Sequence, residues 1–303
     1  MAHTAVVLVA VPTQQEIVQA LCTRTEIAAV FNPTRRPIAD LPVPVFADWA
    51  SLEEYATPDV CCFLTPYAAL KKDLHRCIDK RINVLSAGPI GLTLNEIETI
   101  SKTARDRELA LHFGGPYPFS PLFQQLKEQR QRPEFGQPVY LRLVQGKGSG
   151  LQTAWWTLCD ALNQACELLD SELQEAYVSA VKQNGKYHLS LTGATANRAN
   201  IQLTIAPLAL SLYPDITLLG SGGLLTNRSV SSAPLLMGRD GLEFHLHPNY
   251  HPEPAWLGDF LNKINSANAP DLDWPVLNLH HQILRGARLS MRQKAPVHIK
   301  LQP

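Results

Sequence analysis

The first third of the sequence repeats one pattern: a short run of apolar residues, then a stretch with helical spacing, then another short apolar run. Strands buried on both faces of a parallel sheet read as such near-continuous runs, and parallel pairing needs a crossover between them, usually a helix. Strands are expected at Ala5 to Val11, Glu26 to Phe31, Val60 to Leu64, Asn83 to Leu85 and Leu109 to Phe113. Helices are expected at Gln14 to Cys22, Leu70 to Asp79 and Leu94 to Asp106. Thr93 and Glu96 open the last of these with the spacing of a capping box, in which each side chain serves a backbone donor of the first turn. The pattern predicts an α/β fold whose first domain, residues 1–116, is doubly wound and Rossmann-like.

The pattern changes after Gly114, Gly115 and Pro116. A helix is expected at Pro121 to Gln129, a strand at Pro138 to Val144 and a helix at Ala154 to Leu169. Further strands follow at Ala176 to Lys182, Lys186 to Leu191, Ile201 to Ile205, Ile216 to Leu219 and Glu243 to His247. Turns as short as Gln183-Asn184-Gly185 join antiparallel neighbours directly. A helix from Val276 to Arg288 and a strand from Val297 to Leu301 close the chain. Residues 117–303 are therefore expected to form an α+β domain with a mostly antiparallel open sheet. A chain of 303 residues is long enough for two such cores.

Charge and cysteine usage narrow the function classes. The chain carries 27 basic and 27 acidic residues with no long run of one sign, which leaves nucleic acid or an anionic membrane no electrostatic footprint to meet. No stretch approaches the roughly 20 apolar residues of a membrane helix. The apolar start, Ala5 to Val11, reads as a buried strand rather than a signal peptide. Six cysteines lie in hydrophobic segments without CxxC spacing, which fits reduced core thiols and a cytoplasmic protein.

Three stretches in order resemble the glucose-fructose oxidoreductase and inositol dehydrogenase family (Gfo/Idh/MocA), and with the βαβ start they spread the likeness over most of the chain. Asp59 to Thr93 is similar to the family segment with Thr-Pro after a strand, then a helix, then a strand entering Glu-Lys-Pro; here Thr65-Pro66 is kept and Ala87-Gly88-Pro89 stands in the second place. Leu151 to Asp160 sits where the family carries Leu-x-Asp-x-Gly-x-His-x-x-Asp. Ile216 to Thr226 resembles the strand, Gly-Thr-x-Gly turn and strand of the family's C-terminal sheet. The resemblance implies a nicotinamide cofactor, NAD or NADP, and a homodimer paired through that sheet.

The same register exposes a deficit. The lysine and histidine that handle the proton beside the nicotinamide in the family fall on Gly88, which has no side chain, and Thr157, whose hydroxyl does not titrate near neutral pH. Thr153 replaces the family's first aspartate, Trp155 its glycine, and only Asp160 is retained. The three glycine places of a dinucleotide fingerprint fall on Ala10, Pro12 and Gln15, where side chains restrict the approach of a pyrophosphate and Pro12 offers no N–H. Asn32 stands where an acidic residue would hold the ribose, followed by Thr34, Arg35 and Arg36; such arginines can meet a phosphate but ordinarily are only solvated.

Other residues carry two readings each. Trp155 and Trp156 enter a helix expected to face the interdomain cleft, where they either stack on a planar ligand or fill the space a cofactor would take. Tyr67 can donate a proton from the loop after Thr65-Pro66, or simply pack there. His245, His247 and His251 have a spacing that a metal could use, but no cysteine or carboxylate motif completes a set, so no metal is expected. The cleft set is Thr65, Pro66, Tyr67, Pro89, Trp155, Trp156 and Asp160, with no catalytic residue expected.

Two functions fit. One is a non-catalytic member of the family, a ligand-binding or scaffolding protein with no cofactor, taking a small planar ligand or a protein partner. The other is an NAD(P)H-dependent reductase of a planar conjugated substrate, similar to biliverdin reductases, which lack the same lysine and histidine but keep the glycine fingerprint.

Overall fold

A computed structural model of the chain describes residues 4–88, 91–146, 150–207, 214–227, 235–237, 243–245, 251–266 and 274–301. The chain divides into two compact units, Met1–Phe119 with His251–Asn278, and Ser120–Tyr250 with Leu279–Pro303. A single boundary between residues 116 and 117 was expected; instead, segment 251–278 belongs with the first unit.

The first unit holds a six-stranded parallel sheet of β1 (Val6–Val9), β2 (Ile27–Phe31), β3 (Val45–Phe46), β4 (Val60–Phe63), β5 (Asn83–Ser86) and β6 (Leu111–Phe113). Their order is β3-β2-β1-β4-β5-β6, so the strand order reverses between β1 and β4, as in a doubly wound fold. All four residues of β1 and all four of β4 are buried, which requires cover on both faces. The helices are α1 (Gln15–Arg24), α2 (Trp49–Tyr55), α3 (Leu70–Asp79), α4 (Leu94–Asp106) and α7 (Glu253–Asn265). The α4 capping box forms as expected: Thr93 Oγ1 accepts from Glu96 N–H at 3.4 Å and Glu96 Oε2 accepts from Thr93 N–H at 2.9 Å.

Two features of this unit were not anticipated. The strand β3 is two residues long, and α2 follows it, capped by Asp48, whose carboxylate accepts from Ser51 N–H at 2.9 Å. The other is α7, whose apolar face (Trp256, Leu257, Phe260) enters one core with Val6, Leu8, Val18, Leu21 and Cys62.

The second unit is built on a mixed sheet of nine strands: β7 (Pro138–Gly146), β8 (Leu173–Gln183), β9 (Lys186–Thr195), β10 (Asn200–Ala206), β11 (Asp215–Gly220), β12 (Leu224–Asn227), β13 (Leu235–Met237), β14 (Glu243–His245) and β15 (Val297–Lys300). The order is β14-β13-β12-β11-β7-β10-β9-β8-β15, antiparallel throughout except for β7 with β10. Gln183 ends β8 and Lys186 starts β9, with Asn184 at φ 50° and Gly185 at φ 76°, the left-handed pair a tight hairpin requires. Helices α5 (Pro121–Arg130) and α6 (Leu151–Leu169) belong to this unit, as does most of α8 (Trp274–Gln293). Packing against β7, β9 and β10, α6 covers the face bearing Leu141, Leu143, Leu191, Ile201 and Leu203, all fully buried. The opposite face carries Tyr140, Arg142, Tyr177, Val181, Thr192, Gln202, Thr217 and Leu219, half-buried or exposed.

Candidate functional site

In a parallel sheet every strand's C-terminal end lies on one edge, and ligands of doubly wound folds enter outside that edge, where the strand order reverses. The first unit brings Ala10, Pro12, Gln15, Asn32, Thr65, Pro66, Tyr67 and Gly88 to that edge, since they follow β1, β2, β4 and β5. Pro89 lies outside the described residues.

Several polar groups of these loops bond within a loop or to a neighbouring one. After β1, Ala10 N–H donates to Phe31 O at 3.1 Å, and Pro12–Gln14 forms a 3-10 turn that runs into Gln15 and α1. Gln14, which the sequence did not single out, is the organising side chain. Its Oε1 accepts from Val11 N–H at 3.2 Å and its Nε2 donates to Leu64 O, beyond β4, at 2.5 Å. After β2, the buried Asn32 donates from Nδ2 to Arg36 O at 2.5 Å, and its Oδ1 accepts from Thr34 N–H at 3.0 Å and from Thr34 Oγ1 at 2.8 Å. Its amide is thus committed to shaping its own loop, in which Arg35 adopts φ 59°. Arg35 and Arg36 are both exposed.

Thr65 and Pro66 are half-buried after β4. Tyr67 stacks beside Phe63 at 6.4 Å between ring centroids and donates its hydroxyl to Asp73 Oδ2 at 2.6 Å. Burial, then the Asp73 carboxylate, holds the phenol well above its ordinary pKa, so Tyr67 is a packed, engaged group rather than an available acid. After β5, Ser86 Oγ donates to Gly88 O at 2.8 Å.

The second unit carries the remaining candidates on α6. Trp156 is buried, 9 % exposed, among the core side chains. Trp155 is half-buried and one ring face is covered by Arg288 of α8, whose guanidinium carbon lies 4.6 Å from the ring centroid. Thr157 is buried and returns its hydroxyl to the Thr153 carbonyl one turn back at 2.9 Å. Asp160 Oδ2 accepts from Gln164 Nε2 at 3.0 Å. His280 of α8, next to His281 but on a different face of the helix, is 1 % exposed with its Nε2 2.9 Å from Asn163 Oδ1.

Of the metal candidates, His247 lies outside the described residues, His245 ends β14, and His251 Nδ1 is 3.8 Å from Glu253 Oε2. Among the described residues no group of three or more histidine, cysteine, aspartate or glutamate side chains could hold a metal ion. All six cysteines are free thiols, with Cys61, Cys62, Cys77 and Cys159 buried. Burial raises the Cys62 and Cys159 thiols well above their ordinary pKa, which makes them poor nucleophiles. Among the described residues no helix is long and apolar enough to cross a membrane.

No protein-family model and no curated protein matches the sequence. Solved structures do match, end to end. A dehydrogenase from Chromobacterium violaceum superimposes with a TM-score of 0.75 at 17 % identity, covering 97 % of each chain. The myo-inositol 2-dehydrogenase from Lactobacillus plantarum gives 0.76 at 10 % identity, covering 99 % of this chain and 100 % of that one. An oxidoreductase from Agrobacterium radiobacter, solved with NAD+, L-tartaric acid and magnesium, gives 0.74 at 12 % identity, covering 97 % and 98 %. The chain has the fold of these dehydrogenases along its whole length.

Proposed function

We propose that the chain is a non-catalytic protein on a dehydrogenase fold, a ligand-binding or scaffolding protein acting in the cytoplasm. One observation carries this reading. By the register of the resemblance, the places of the proton-handling lysine and histidine are Gly88, which has no side chain, and Thr157, whose hydroxyl is buried and bonded into its own helix. Alcohol oxidation by hydride transfer must also remove the hydroxyl proton, and neither place holds a group to accept it. The test is a turnover assay of the purified protein with polyols and sugars in the presence of NAD or NADP. No cofactor-dependent oxidation is expected, and measurable oxidation of any polyol overturns the reading.

A second reading, an NAD(P)H-dependent reductase of a planar conjugated substrate, draws support from a relative in fold solved with NAD+. Reduction makes a smaller demand on the protein, because water can supply the proton. A thermal-shift screen separates the two: a cofactor at about 100 times its dissociation constant stabilises a fold by about 2.7 kcal/mol. The non-catalytic reading expects no shift with NAD, NADH, NADP or NADPH.

The open face of the nine-stranded sheet is the surface on which this reading places a second copy of the chain. Leu219 and Leu224 are cross-strand partners there, 40 % and 43 % exposed, and Tyr177 and Val181 are 53 % and 54 % exposed. A dimer in sedimentation velocity that Leu219→Arg converts to monomer supports this pairing; a wild-type monomer at micromolar concentration opposes it.

A further inference from the structure

We propose that Gln14 is an internal occupant of the crevice where the strand order of the parallel sheet reverses, so that any anionic ligand entering there has to displace it. The inference rests on the non-catalytic reading and adds a residue-level reason for weak binding of a dinucleotide phosphate.

Strands β1 and β4 are neighbours, and the order β3-β2-β1-β4-β5-β6 turns back on itself between them. Loops leaving the carboxyl ends of two such strands diverge to opposite faces of the sheet, and the gap so formed is where doubly wound folds receive ligands. In this chain a side chain already spans that gap. Gln14 takes the Val11 N–H of the β1 loop with its Oε1 at 3.2 Å, and gives its Nε2 to Leu64 O of the β4 loop at 2.5 Å. One amide thereby satisfies a donor on one side of the gap and an acceptor on the other. A phosphate or carboxylate can replace only the first of these bonds, because it accepts hydrogen bonds and has no proton to offer Leu64 O. Entry of an anion therefore breaks two hydrogen bonds, restores one, and leaves a carbonyl facing negative charge.

The bridge is set up by local structure. Pro12 begins the 3-10 turn, the Gln14 N–H closes it onto Val11 O at 2.9 Å, and that turn holds the Gln14 side chain beside the residue whose N–H it caps. Leu64 is fixed in turn by its own N–H on Val9 O at 3.0 Å, so the acceptor end of the bridge is anchored on β1.

The experiment compares the full-length wild type with Gln14→Met, which keeps the length and the apolar stem, and with Gln14→Ala. ADP is titrated by calorimetry as the diphosphate probe, and amide exchange at Val11 is followed in each protein. The expected result is ADP affinity raised at least about threefold in the variants, the worth of one net hydrogen bond, together with faster exchange at Val11. Unchanged or weaker ADP affinity overturns the proposal, and so does an absence of ADP binding by all three proteins at millimolar concentration. If Gln14→Ala fails to fold, Gln14→Met decides alone. The non-catalytic reading fails on a different measurement, polyol turnover by the wild type, so the two failures are distinguishable.

Discussion

His280 is 1 % exposed in α8, with Nε2 against Asn163 Oδ1 at 2.9 Å. Burial lowers its pKa from 6.5 to about 4, against a smaller opposing pull from the backbone of Cys159. The unfolded chain therefore takes up this proton at a higher pH than the folded one does. Stability from this group is complete above about pH 6.5 and is lost as the pH falls toward 4, by on the order of 3 kcal/mol in all. Glu53 and Glu96 act the same way lower on the scale. Glu53 is held at about 2 first by Arg76, and Glu96 at about 2 first by Lys71, so what they contribute is present above their ordinary 4.5 and lost below it. Urea unfolding of wild type and His280→Gln at pH 7 and pH 4.5 separates these effects. The variant is expected to lose less stability between the two pH values, and identical losses would show that His280 titrates normally.

The turn between β11 and β12 shows what an element can demand of a residue. Gly220 and Gly222 lie against the 3-10 turn Pro133–Phe135, and a Cβ on Gly220 would stand 2.2 Å from Phe135 O, one on Gly222 2.4 Å from Glu134 O. Backbone cannot yield as a side-chain tip does, so Gly220→Ala is expected to cost about 1–3 kcal/mol or more in chemical denaturation. A loss below 0.5 kcal/mol, a surface-like value, would show that this contact is loose. This hairpin, the Gln183-Asn184-Gly185 turn and the Thr93 capping box were legible because each is written within a few adjacent residues. The apolar runs of β1 and β4 were legible because parallel strands are buried on both faces. By contrast, β3 is too short to carry a period, and α7 begins at Glu253-Pro254 directly after His251-Pro252, where the two prolines and the histidine obscured the helical spacing of Trp256, Leu257, Phe260 and Ile264. At the candidate site, the changes at Ala10, Pro12 and Gln15 could be read directly, whereas the role of Gln14 depends on a carbonyl fifty residues away. The Arg288 cover on Trp155 was equally invisible, since α6 and α8 are joined only by folding.

At the scale of the molecule, the first unit is not one continuous piece of chain. Helix α7 is separated from β6 by the whole of β7 to β14, yet its Trp256, Leu257 and Phe260 are among the most buried residues and share a core with β1, α1 and β4. A fragment ending at residue 116 would leave that core open on the α1 side, where α7 packs. Phe260 is 3 % exposed, and truncating a buried phenylalanine costs about 3–5 kcal/mol through lost transfer energy and the cavity left behind. Phe260→Ala is therefore expected to destabilise the parallel sheet, although the substitution lies more than 140 residues beyond its last strand. Amide exchange reads this directly, because protection is lost by cooperative units. Amides of β1 at Val7 and Leu8 should exchange faster in the variant, while those of the β8–β9 hairpin, such as Val178 and Leu191, should keep wild-type protection. Equal loss in both sheets would contradict the division of the chain into these two units, and unchanged exchange in β1 would contradict the place of α7 in the first core.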